Sequence, residues 1–107
     1  MSNFEITPQE LKKRLDDGEN IFILDVRELA EYGICKLSGS HLIPLGEIPK
    51  RLNELDPEQE IIVHCKLGGR SAKAVEFLRS AGFQKVKNLV GGIDSWAQKV
   101  DPSMPRY

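Results

Sequence analysis

Two short, nearly continuous apolar runs constrain this chain most. They are Ile21-Phe22-Ile23-Leu24-Asp25-Val26 and Ile61-Ile62-Val63-His64. Both are brief and rich in β-branched residues, as expected of strands covered on both faces of a parallel sheet. Helical patterns alternate with them. Thr7-Pro8-Gln9-Glu10 opens the first: Thr7 caps it, Pro8 suits the first helical position, and Glu10 closes a capping box. Leu11 and Leu15 share one face, and Gly18 stops the helix. A short helix is expected through Leu29-Ala30-Glu31-Tyr32, then a short strand at His41-Leu42-Ile43-Pro44. Leu45, Ile48, Leu52 and Leu55 recur at helical spacing ahead of Pro57. Ser71 to Ala81 reads as a helix with Ala74, Phe77, Leu78 and Ala81 on one face and Gly82 as its stop. Val86 to Val90 is a further strand, Gly91-Gly92 a turn, and Ile93 to Lys99 a last helix. Asp101, Pro102 and Pro105 then mark an extended tail.

This alternation predicts an α/β fold: an open, mainly parallel sheet with helices on both faces and right-handed crossovers. At 107 residues, 1–107 is expected to be one domain. Fifteen Lys and Arg against sixteen Asp and Glu leave no basic field for nucleic acid. No apolar run approaches the roughly 20 residues that a spanning helix needs. Met1 to Glu5 lacks the basic and apolar regions of a secretory signal. Cys35 and Cys65 form neither a C-x-x-C pair nor a zinc spacing, so no metal or organic cofactor is expected. A cytoplasmic location follows as the expectation. There thiols stay reduced, and a cysteine can serve as a reagent.

That reagent is Cys65. It ends the second apolar run and precedes Lys66-Leu67-Gly68-Gly69-Arg70 and a helix start. In open α/β sheets, ligands bind at the carboxyl ends of strands. The helix N-terminus there presents free N–H groups and partial positive charge. Gly68 and Gly69 let backbone amides curl inward as an anion nest. Lys66, Arg70 and Lys73 add positive charge, with no carboxylate between Glu60 and Glu76. Such a field favours thiolate over thiol, which makes Cys65 the expected nucleophile and 66–70 the expected substrate-binding loop.

These residues resemble a rhodanese-like sulfurtransferase domain over nearly the whole chain. The matching pieces are Asp25-Val26-Arg27, Glu31-Tyr32, Gly39 to Pro44, Cys65 to Arg70, and Val90-Gly91-Gly92-Ile93 with Trp96. The resemblance implies a five-stranded, mainly parallel sheet and a persulfide carried on Cys65. Cys65 to Ala72 together with Asp101 to Tyr107 is similar to the C-terminal rhodanese module of adenylyltransferases that serve ubiquitin-like sulfur carriers. The chemistry so implied is transfer of sulfur from thiosulfate or a protein persulfide to a thiophilic acceptor. The alternative is a sulfur-relay or interaction module with little free-substrate turnover. By the same resemblance, the Cys-x4-Arg spacing is the sulfurtransferase length, whereas related phosphatases and arsenate reductases use Cys-x5-Arg.

Other residues take structural readings. Asp25 and Arg27 are expected to form an ion pair at the sheet's carboxyl edge. Cys35 is a packed thiol, and His64 points away from Cys65 by strand alternation. His41 bonds within its loop, and Trp96 packs in the core.

Overall fold

The computed structural model describes residues 4–107, so Met1, Ser2 and Asn3 of the N-terminal reading lie outside the described residues. Five strands are present: β1 (Glu5–Ile6), β2 (Phe22–Asp25), β3 (His41–Leu42), β4 (Ile61–His64) and β5 (Val86–Leu89). They form one sheet in the order β1-β5-β4-β2-β3, and every pair is parallel. The two apolar runs lie in register at its centre, from Phe22 beside Ile61 to Asp25 beside His64. The two-residue β1 has no signature in the sequence.

Strand alternation sorts the side chains onto two faces. Leu24, Val26, Ile61, Val63 and Cys65 pack with Ile48, Ala74 and Leu78. Ile23 and Ile62 pack on the other side with Leu11, Ile93 and Trp96. The first face is covered by α3 (Gly69–Ser80) and a 3-10 helix (Leu45–Glu54), the second by α1 (Pro8–Asp16) and α4 (Gly92–Lys99). The α1 capping box forms as read: the Glu10 amide donates to Thr7 Oγ1 at 3.1 Å, and the Thr7 amide donates to Glu10 Oε1 at 2.9 Å. A short α2 (Leu29–Ile34) follows β2. Among the described residues no helix is long and apolar enough to cross a membrane.

Three elements differ from the sequence reading. The segment Leu45–Glu54 winds as a 3-10 helix broken at Arg51 (φ −115°, ψ 18°). Pro49 inside it has no amide to give to an α-helical ladder. Its apolar face still works: Ile48 is buried, and Leu45 and Leu52 pack against the core. Helix α3 starts at Gly69, and its buried face is Ser71, Ala74, Val75 and Leu78. Phe77, expected on that face, is 37% exposed, and Ala81 is exposed. The apolar stripe is counted from Ser71, which puts Phe77 one position round the helix. Finally, the tail, read as extended, turns at 102–104 and packs back beside the loop 65–70.

Candidate active site

Parallel strands put all their carboxyl ends at one edge, and the loop 65–70 lies there. Cys65 continues the parity of Ile61 and Val63 and is only 2% exposed. Its surroundings are nonetheless polar. Sγ accepts from the Gly68 amide at 3.1 Å and the Ser71 amide at 3.4 Å, and the Ser71 hydroxyl lies 3.4 Å away. Gly68 has φ +117°, a conformation open to glycine that aims its amide at the sulfur. Burial pushes the Cys65 thiol up. The Ser71 hydroxyl and the amides of Ser71, Gly68 and Leu67 pull it down and prevail, so its pKa lies below the ordinary value.

The start of α4 explains why those amides face inward. The amides of Ile93 and Asp94 donate to the carbonyls of Cys65 (2.9 Å) and Lys66 (3.1 Å). In a trans peptide the N–H points opposite to its C=O. Anchoring the Lys66 carbonyl on α4 therefore turns the Leu67 amide toward the sulfur. The approach is close enough that a Cβ on Gly92 would lie 2.3 Å from the Lys66 oxygen and 2.6 Å from the Cys65 oxygen.

The loop cations are not free charges. Arg70 makes a two-pronged bond to Glu31 of α2, at 2.6 and 2.9 Å. Tyr107 donates to Glu31 Oε2 at 2.7 Å and accepts from Arg27 Nη1 at 3.0 Å. Lys66 Nζ sits 4.6 Å from the centre of the Tyr107 ring. Arg106 pairs with Asp94 at 3.0 Å, which pins the tail against α4. The expected stretch without carboxylates is real along the chain, but Glu31 enters through space. Lys73 is exposed on α3, Gly69 opens that helix, and Leu67 stands 64% exposed at the loop tip.

Arg70, Glu28's backbone and Tyr107 hold the Glu31 carboxyl well below the usual carboxylate range. A lowered folded value means that the unfolded chain binds the proton first as pH falls. The network's contribution is therefore complete at neutral pH and is lost progressively below the ordinary carboxylate pKa. Glu31→Gln is expected to lower Tm at pH 7, and the gap to the parent should close with acid. Unfolding curves across pH check this; a gap that widens with acid would contradict it.

Asp25 and Arg27 are both fully buried. Arg27 Nη2 donates to Asp25 Oδ2 at 2.7 Å and to the Cys35 carbonyl at 2.6 Å, and Nη1 reaches the Glu31 carbonyl at 3.3 Å. This arginine fastens α2, and hence Glu31, to the end of β2. His64 is buried; its nitrogens face the Cys65 carbonyl (3.4 Å) and Asp25 Oδ2 (3.6 Å), not the Cys65 sulfur. Burial lowers its pKa and keeps it neutral. Cys35 packs in the core beside Leu37 and Trp96. His41 lies in β3, 3.8 Å from Glu54. Among the described residues no group of three or more His, Cys, Asp or Glu could hold a metal ion.

Sequence reasoning missed the roles of Ser71, Asn88 and Tyr107. Asn88 left a signal: asparagine is depleted in strands, so one inside β5 calls for a reason. Its amide lies against the loop, with Nδ2 3.2 Å from the Gly68 carbonyl and Oδ1 2.6 Å from the Ser71 hydroxyl.

The sequence profile of the Rhodanese-like domain matches residues 7–99. Maize "Adenylyltransferase and sulfurtransferase MOCS3-2" is 38% identical over 109 residues, covering 95% of this chain and 23% of that protein. Bacillus subtilis YrkF, which carries the name of a sulfur carrier protein, is 41% identical over 97 residues, or 91% of this chain and 52% of YrkF. This chain thus spans about a quarter of the maize relative and half of YrkF. A "Sulfurtransferase" of Allochromatium vinosum is 33% identical, with 88% of each chain covered. Among solved structures, a rhodanese-related protein of Thermoplasma volcanium superposes with TM-score 0.82 at 31% identity, covering 90% of this chain and 92% of that one. A rhodanese-like domain protein of Staphylococcus aureus gives 0.82 at 35%, covering 86% and 89%. With its parallel five-stranded sheet and a cysteine loop at the carboxyl edge, this chain belongs to the rhodanese-like domain family.

Proposed function

We propose that residues 1–107 act as one cytoplasmic sulfurtransferase domain that carries a persulfide on Cys65. One observation supports this above the rest: a buried sulfur faced by the N–H donors of Gly68 and Ser71, which stabilise negative charge on or beside it. The Cys65 thiolate attacks the outer sulfur of a donor. A new S–S bond forms to Sγ, the donor's bond to that sulfur breaks, and its electron pair leaves on sulfite or a cysteine thiolate. A thiophilic acceptor then takes the outer sulfur, and the pair of the broken S–S bond returns to Sγ. Losing one such donor in other enzymes costs about 2.7–4 kcal/mol. Lys66 and Arg70 are the groups to hold an anionic donor such as thiosulfate, with the backbone of Leu67, Gly68 and Gly69 forming the cradle. Arg70 does so with its charge already shared by Glu31.

A relay between proteins is the second reading. It is favoured by an exposed apolar Leu67 beside cations that already have partners, a surface suited to a protein donor or a ubiquitin-like carrier. The names of the maize and Bacillus subtilis relatives point the same way. One experiment separates the readings. The protein is incubated with thiosulfate, or with a cysteine desulfurase and cysteine, and residue 65 is examined by mass spectrometry. A gain of one sulfur mass from thiosulfate supports the free-substrate enzyme; loading by the desulfurase alone supports the relay. Cys65→Ser should load from neither and transfer nothing to cyanide. Phosphate-ester hydrolysis without any loading would overturn both.

A further inference from the structure

The Ser71 hydroxyl has one proton and three acceptors within reach: Asn88 Oδ1 at 2.6 Å, the Gly68 carbonyl at 3.2 Å and Cys65 Sγ at 3.4 Å. Which one receives it follows from Asn88. The Gly68 carbonyl can only accept, so the Asn88 atom facing it at 3.2 Å is the Nδ2 donor. Oδ1 therefore faces Ser71. At 2.6 Å two oxygens with no proton between them repel, so the hydroxyl donates to Asn88. An oxygen lone pair of Ser71 is then left facing the sulfur. That arrangement suits a sulfur that bears a hydrogen or no charge, and it is wrong for a thiolate.

We infer that Asn88 is a positioning residue for sulfur transfer, parking the Ser71 hydroxyl while the inner sulfur is neutral and releasing it toward Sγ when charge returns there. The inference rests on the persulfide reading above. In the loaded state Sγ is bonded to carbon and sulfur and carries no charge, so Ser71 donates to Asn88. The acceptor's nucleophile then attacks the outer sulfur, the S–S bond breaks, and its electron pair stays on Sγ. The Ser71 O–H rotates to donate to that thiolate, with no proton changing owner. Loading reverses the sequence. Asn88 thus sets a limit on thiolate stability, because a turned hydroxyl leaves Oδ1 facing a bare oxygen. Anchored on β5, it couples the strand to the loop without touching a reacting atom.

The sign of the effect makes this testable. A purely structural Asn88 would keep the amides aligned, and removing it would raise the Cys65 pKa. A parking Asn88 predicts the reverse. The thiolate ultraviolet absorbance of each variant, minus that of the same variant carrying Cys65→Ser, gives the titration of residue 65. Asn88→Leu, which frees the hydroxyl, should lower the midpoint by about one pH unit, the size of one hydrogen bond to a charged group. Asn88→Asp removes the same Nδ2 donor but strengthens the acceptor and adds charge, so it should raise the midpoint. Ser71→Ala should raise it, and Asn88→Leu made in that background should no longer lower it. Single-turnover release of sulfur to cyanide should slow about tenfold in Ser71→Ala and quicken in Asn88→Leu. An upward or absent shift in Asn88→Leu, or an equal drop with and without Ser71, would overturn the inference. These titrations need no sulfur donor, so they stand or fall apart from the loading experiment.

Discussion

Gly92→Ala should disable the cysteine loop while most of the sheet persists, with Cys65 loading abolished and a clear loss of stability. Two costs act at one atom. Gly92 has φ +62°, a left-handed backbone that costs a residue with a Cβ about 1–2 kcal/mol. The added carbon would also lie 2.3 Å from the Lys66 oxygen and 2.5 Å from its carbonyl carbon. Both neighbours are backbone, so no rotamer change relieves the overlap; overpacking of this kind typically adds about 1–3 kcal/mol. The cheapest relaxation moves the loop off α4. It breaks the bonds from Ile93 and Asp94 to the Cys65 and Lys66 carbonyls and swings the Leu67 amide away from the sulfur. The measurement pairs urea unfolding with mass-spectrometric loading of residue 65. A variant that loads at the parental rate would show that the α4 contact does not shape the cradle.

Asp25→Ala is the second large effect, and it acts on the whole fold. Arg27 lies fully buried, with Nε and Nη2 on Asp25. Removing one partner of a buried pair leaves an uncompensated charge, at a cost of about 3–5 kcal/mol. Against a typical domain stability of about 5–15 kcal/mol, that is a large share. The consequence reaches the site, because Arg27 also holds Tyr107 and the backbone of Glu31 and Cys35. Removing both charges at once should hurt less than removing one. Asp25→Leu with Arg27→Met is therefore expected to unfold at a higher urea concentration than Asp25→Ala. If the single variant unfolds within about 1 kcal/mol of the parent, the pair is not buried as described.

What could be read from the residues followed range. The capping box of α1, the central strands and the stop at Gly18 are local events, written within a few positions. Cys65 was legible because strand end, glycines, cations and helix start fall within six positions. The winding of Leu45–Glu54 was not, since helical spacing of leucines does not distinguish an α-helix from a 3-10 helix broken at Arg51. Phe77 was misplaced because hydrophobicity suggested the face and packing chose another. Glu31 meets Arg70 across 39 positions, and Tyr107 meets Arg27 across 80. No local pattern announces such meetings. Gly91-Gly92 read as a turn, whereas its larger duty is to let two backbones touch.

The returning tail has a practical consequence. Tyr107 is stitched between α2 and the cation beside Cys65, so a polypeptide joined after it emerges beside the loop that holds Cys65. A cargo attached there on a flexible tether would meet Cys65 at the millimolar effective concentrations that short linkers provide, roughly. The entry to β1 lies at the other end of the parallel strands, and a fusion at that end gains no such proximity.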